Sequence, residues 1–316
     1  MPFPAGPTLV LDPDMAFRLK RSESVARGVK RLARKELKSA IEALTPGRPA
    51  RRDEGVHDGR KSIKKTRALL ELARPELGRQ YRQQKRRLRS AAHPLSQERD
   101  AKILLETFET VHAHHRAALS PTAWTALRRL LERPAAESAL RVVNRETISC
   151  TIDALGRVRS DSRRWTRKAD GFRALRSALK RSFTRARKAW RCARTDPTPA
   201  NLHRWRKRVK THWYQTRLVE PAAPGRLSPY LASLHELETW LGDHHNLVVL
   251  AGRIKAPELP PELRRDAARM CALIDRQLRE LRRKALARGG HLYAERGRAF
   301  VTRIEEDWHT WRNGAA

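Results

Sequence analysis

Residues 56–67, Val-His-Asp-Gly-Arg-Lys-Ser-Ile-Lys-Lys-Thr-Arg, decide the fold, because the chain repeats them at 202–210 as Leu-His-Arg-Trp-Arg-Lys-Arg-Val-Lys. An offset of 146 positions carries His57, Arg60, Lys61 and Lys64 onto His203, Arg206, Lys207 and Lys210. Their spacing i, i+3, i+4, i+7 is one stripe of an α-helix. Val56, Ile63 and Leu70 form an apolar stripe beside it, matched by Leu202, Val209 and Thr216. Each copy therefore reads as a helix with one face for a core and an adjacent face crowded with cations. Like charges one turn apart destabilise an isolated helix, so a repeated arrangement of this kind implies an anion to be held there.

The same offset holds on both sides of the motif. Upstream, Arg27, Lys30, Arg34 and Lys35 meet Arg173, Arg176, Lys180 and Arg181, while Val29, Ala33 and Leu37 meet Leu175, Leu179 and Phe183. Downstream, Pro75 meets Pro221, and Arg99-Asp100 meets His245-Asn246. A gap-free offset over so long a span implies two copies of one helical unit. Helices are expected over 22–44, from the first motif to Pro75, 77–91, 96–116, 121–132 and 137–158. In the second half they are expected over 170–192, 201–221, 228–242, from 243, 262–288 and 293–311. The prolines at 75, 94 and 221 are read as helix ends. No stretch alternates convincingly enough for a strand.

Composition narrows the partner. The 69 Lys and Arg against 34 Asp and Glu leave a formal charge of +35, which attracts polyanions. Nucleic acid, an anionic membrane and phosphate polymers are the candidates. No segment approaches the ~18 apolar residues of a spanning helix. The proline-rich start, Met1-Pro2-Phe3-Pro4-Ala5-Gly6-Pro7, has neither a charged nor an apolar leader region, so the cytoplasm is the expected location. Cys150, Cys192 and Cys271 are widely spaced and suggest neither disulfides nor zinc. The histidine clusters at 112–115 and 244–245 lack carboxylates or cysteines at ligand spacing, and no metal or cofactor is expected.

These residues resemble the CHAD family, a histidine-containing α-helical domain. The resemblance rests on the stripe at His57, its copy at His203, the pairs Arg99-Asp100 and His245-Asn246, and the closing segment Leu292-Tyr293-Ala294-Glu295-Arg296 with Phe300. It implies an all-α module of two pseudo-two-fold-related four-helix bundles around a basic central groove. Residues 1–15 are then an irregular arm, 16–162 the first bundle and 163–313 the second. The family association implies inorganic polyphosphate as ligand, with polyphosphate granules as a place of association.

The physical chemistry is compatible with that ligand. Polyphosphate is a row of anionic tetrahedra without bases. Arg grips two oxygens in a fork, and Lys supplies a compact charge. The four stripe residues of each copy, the eight upstream cations, Arg99 and His245 are the expected phosphate contacts. Asp100 and Asn246 are expected to orient neighbouring cations. His57 and His203 either donate to phosphate when protonated or fix helix packing when neutral. Asp58 and Asp100 fall on Arg204 and Asn246, so no carboxylate pair for metal-assisted hydrolysis survives the repeat, and binding without catalysis is expected. A nucleic-acid binder using Trp205 and Trp213 as stacking groups is the alternative, and a histidine phosphotransfer module a more distant one.

Overall fold

The computed structural model describes residues 16–45, 52–116, 119–141, 145–165, 171–255 and 260–314, with backbone alone at 52–53, 97–101, 133–141 and 145. The expected arm at 1–15 lies outside the described residues. Those described form an all-α protein, with no strand among them.

The first half carries α1 (Val25–Leu44), α2 (Arg52–Leu77), α3 (Arg79–His114), α4 (Pro121–Arg141) and α5 (Arg145–Asp161). The second carries α6 (Arg173–Thr195), α7 (Pro199–Arg217), α8 (Pro224–Ile254), α9 (Arg264–Leu292) and α10 (Gly297–Asn313). Local chemistry explains the starts. Ser24 caps α1 by accepting from the Arg27 amide at 3.2 Å. Thr198 caps α7 by accepting from the Asn201 amide at 3.3 Å, and Pro199 occupies the first helical position, where its missing N–H costs nothing. One residue, Gly78 at φ +47°, joins α2 to α3; that backbone angle favours glycine.

Four expected boundaries are corrected, the first being the break expected between 132 and 137, which lies inside α4. The helices expected to part at Pro94 are one helix, α3, and those expected to part near Asp243 are one helix, α8, with Pro229 also inside it. Pro75 lies within α2, not at its end. An internal proline removes one backbone hydrogen bond and bends a helix, but burial along the rest of a long helix can outweigh that loss. α3 buries Tyr81 and Leu88 before Pro94 and Leu95, Leu104 and Phe108 after it.

The main core runs through both halves. It joins Val29, Leu37 and Ile63 of α1 and α2 to Phe183, Trp205 and Val209 of α6 and α7, and on to Phe300 and Trp308 of α10. A second apolar cluster gathers the far ends of α3 and α8 with α4 and α9, around Phe108, Leu127, Leu250 and Met270. Ahead of α1, the segment from Phe17 also binds the second half. The Leu19 amide donates to the Leu218 carbonyl at 3.0 Å, and Arg18 pairs with Glu220 at 2.8 Å. Helix α2 packs directly on α7, and Gln215 Nε2 donates to the Ala68 carbonyl across that contact at 3.0 Å. The two copies of the motif are thus neighbours in space.

Candidate functional site: a cation cluster between the two motif helices

Packing α2 on α7 brings half of each stripe together. Arg60 and Lys64 from α2 and Arg206 and Lys210 from α7 form one cluster, and Lys64 feels the other three. Burial, followed by the charges of Lys210, Arg60 and Arg206, pushes the Lys64 ammonium down from 10.5 to about 7. A cluster of this kind is costly when empty, because removal from water and mutual repulsion both disfavour the charged form.

One carboxylate offsets part of that cost. Glu238 of α8, 7% exposed, pairs with Arg206 at 2.8 Å and accepts a hydrogen bond from Lys210 at 2.9 Å. Burial alone would raise its pKa. The charges of Lys210 and Arg206, with the Lys210 hydrogen bond, outweigh burial and hold it below the usual carboxylate range. Glu238, Gly242 and His245 lie at i, i+4, i+7 on one face of α8. At Gly242 a Cβ would stand 3.1 Å from Arg206 Nη2, so the glycine lets the guanidinium lie close against the helix.

His245 completes this face by packing on His203, with ring centroids 4.0 Å apart and 33° between planes. Burial, then His245, Lys207 and Arg206, pushes the His203 imidazole down to about 4. The empty protein therefore holds His203 neutral, in its packing role. Its counterpart His57 is exposed and Lys61 half-buried. Lys207 is exposed on α7; burial and the neighbouring Arg67, Arg208 and Arg204 lower its pKa.

The upstream cations are distributed differently. On α1, Arg27 and Lys35 are exposed while Lys30 and Arg34 are half-buried. On α6, Arg173 and Lys180 are exposed, and Arg176 pairs with Glu305 of α10. Arg181 lies against a small cavity with Arg185 of α6 and Arg208 of α7. The side chains of Arg99 and Asp100 lie outside the described residues, and Asn246 is half-buried beside His245.

The bulky neighbours of the second stripe turn inward. Trp205 is fully buried and Trp213 only 7% exposed, which removes both as surfaces on which a nucleobase could stack. His212 is also buried. It sits between Ser182 Oγ at 3.0 Å and the Tyr230 hydroxyl at 2.9 Å, and burial pushes it down to about 3.

Two acidic residues central to the geometry escaped the sequence reading. Glu238 has Ala92 at the matching position of the first half, so a search for repeated residues passes over it. The i, i+7 relation to His245 was the available signal. Glu36 forms a buried pair with Lys65 at 3.4 Å, although Lys65 belongs to the opening motif. The offset places Ser182 and Thr211 there in the second half.

Among the described residues no group of three or more His, Cys, Asp and Glu is placed to hold a metal ion. Nor is any described helix long and apolar enough to cross a membrane. No curated protein matches the chain significantly. A comparison with protein families matches the CHAD domain over residues 31–255, a span that includes both motif helices and the α8 face opposite them. The chain belongs to the CHAD domain family.

Proposed function

We propose that this protein binds inorganic polyphosphate without turning it over, and that the chain of phosphates lies along the contact between α2 and α7. The observation that carries this reading is the meeting of Arg60, Lys64, Arg206 and Lys210, cations from both copies of the motif, where partial burial and then crowding hold the half-buried Lys64 down at about 7. A polyanion placed there relieves the repulsion and replaces condensed counterions on the ligand, a source of affinity that falls steeply with salt. Membership of the CHAD family is consistent with this ligand. With Trp205 and Trp213 in the core, the nucleic-acid reading loses the stacking that sequence-tolerant binding of single strands normally uses.

The experiment is a competition on the full chain between long-chain polyphosphate, triphosphate, duplex DNA and single-stranded RNA at several salt concentrations. Long-chain polyphosphate should bind most tightly, with affinity falling log-linearly in salt. Lys61→Ala with Lys64→Ala, and Lys207→Ala with Lys210→Ala, should each weaken it by roughly tenfold or more. Exchanging the exposed Arg129 and Arg157 for Ala should matter far less. Equal losses from that control would assign binding to diffuse charge, and release of orthophosphate by the wild type would overturn the non-catalytic reading.

A further inference from the structure

A second basic feature lies away from the stripe. A cavity of about 30 Å³ sits where α2, α6 and α7 meet, lined by Glu71, Arg181, Arg185, Arg208 and Gln215 among others. On α7, Arg208 and Gln215 point roughly 140–180° round the helix from the Arg206–Lys210 face, at ~100° per residue. This is a separate flank, approached from the α6 side.

Its charges are unbalanced. Three guanidinium groups share one carboxylate, and Glu71 is already committed elsewhere. Its Oε1 accepts from the Tyr81 hydroxyl at 2.5 Å and from Lys85 at 3.4 Å, leaving Oε2 for Arg185 at 3.5 Å. Two buried polar atoms of the lining have no hydrogen-bond partner among the described residues: the donor Arg181 Nη2 and the acceptor Gln215 Oε1. Gln215 is 2% exposed, and the bond from its Nε2 to Ala68 fixes which way the amide faces. Arg208 is exposed and Arg185 half-buried, so the positive rim is accessible.

Polarity specifies the occupant. The space of about 30 Å³ is more than the roughly 10–15 Å³ that one water needs, so an oxygen atom fits there. An oxygen that satisfies both orphaned atoms must accept from Arg181 and donate to Gln215, so it carries a proton. Water does, and so does the P–OH of a hydrogen phosphate. Terminal phosphoryl groups keep a second acidic proton with a pKa near neutrality, about 6 for a phosphomonoester. Interior groups of a phosphate chain have none at neutral pH.

We propose that this cavity is an end site: it takes one protonated oxygen of a terminal phosphoryl group, or of orthophosphate, while Arg185 and Arg208 hold the remaining oxygens at the rim. The chain-end role rests on the polyphosphate reading above; the orthophosphate role does not.

The test uses the full chain, titrated at pH 6.5 with orthophosphate and with sulfate, which has the same shape but no proton to donate at that pH. Orthophosphate should bind several-fold more tightly than sulfate. Arg208→Gln should weaken orthophosphate by roughly tenfold, the scale of one charge-assisted hydrogen bond, and leave long-chain affinity within about twofold. Lys61→Ala with Lys64→Ala should do the reverse. Equal binding of the two oxyanions, or orthophosphate binding insensitive to Arg208→Gln and to Arg181→Gln, would mean that the cavity holds a buried water only, and would overturn the proposal. Orthophosphate binding lost equally in the Arg208 and the Lys61–Lys64 variants would overturn it too, since both would then report one site. If long chains fail to bind the wild type while orthophosphate still binds and responds to Arg208→Gln, polyphosphate is wrong as the ligand and the oxyanion site stands.

Discussion

Glu238 holds Lys210 at 2.9 Å and takes Arg206 with its other contact at 2.8 Å, so an internal carboxylate already occupies the space in which two of the four clustered cations would meet a phosphate. A ligand at this site competes with part of the protein itself. Affinity there is the difference between two anions, one fixed on α8 and one arriving from solution.

Exchanging Glu238 for Gln should therefore move stability and affinity in opposite directions. The empty protein loses the carboxylate shared by Arg206 and Lys210, and breaking a buried pair in this way costs about 3–5 kcal/mol. Long-chain polyphosphate should bind about three- to tenfold more tightly, with a steeper salt dependence. Thermal melts with and without ligand read both effects. Weaker binding in the variant would show instead that Glu238 aims the two cations at the ligand.

Lys64 gives the protein an alkaline signature. It titrates at about 7 in the fold against an ordinary 10.5. Between those values the unfolded chain holds a proton that the folded chain does not, so stability rises with pH across that window; below about 7 both states are charged and the full cost remains. Lys64→Met should flatten the rise and stabilise the empty protein near neutrality by ~2–4 kcal/mol. A bound polyanion favours the charged amine, so ligand binding should take up a proton and weaken from pH 7 to 9. Calorimetry in buffers of different ionisation enthalpy measures that uptake.

The acid side belongs to histidines. His203 and His244 are pushed down to about 4 and His212 to about 3, in each case first by burial. Their ordinary value is 6.5, so the folded state binds fewer protons than the unfolded one below it. Stability should fall as pH drops from about 6.5 toward 4. Denaturant midpoints across that range should show a slope that His212→Gln reduces by close to one proton. An unchanged slope would mean that His212 is protonated in the fold.

Lys65 separates structure from binding within a single motif. It is one residue from Lys64, but it points into the core against Glu36 at 3.4 Å and over the Phe17 ring at 5.3 Å. Lys65→Met should leave Glu36 buried without this partner and cost about 3–5 kcal/mol. Long-chain affinity, measured well below the melting temperature, should change little. A large loss of affinity with unchanged stability would move Lys65 into the binding surface.

The stripe and the repeat were legible because both are periodic: His57 to Lys64 and His203 to Lys210 repeat the helical spacing, and burial of Val56, Ile63, Leu202 and Val209 follows the adjacent stripe. The boundary at Pro94 was misread because that proline removes a single backbone bond from a helix anchored on both sides. The acidic partners were hidden for a different reason. A reading that counts what two copies share discards what differs, and Glu238 opposite Ala92, or Arg185 and Arg208 opposite Ser39 and Ser62, are differences. The shared residues identified the helices that meet. Residues found in only one copy provide the counter-anion and most of the cavity.

The short segment ahead of α1 carries a consequence for local opening. Leu19 precedes every described α-helix, yet it is 2% exposed and its amide is bonded to Leu218 at the end of α7; Arg312 of α10 donates to the Arg21 and Glu23 carbonyls nearby. An amide outside the helices would ordinarily exchange its hydrogen through local opening. Here the Leu19 amide cannot reach solvent unless the end of α7 comes away with it, so its exchange should be as slow as that of amides in the middle of the core helices, marking this segment as part of the last unit to open.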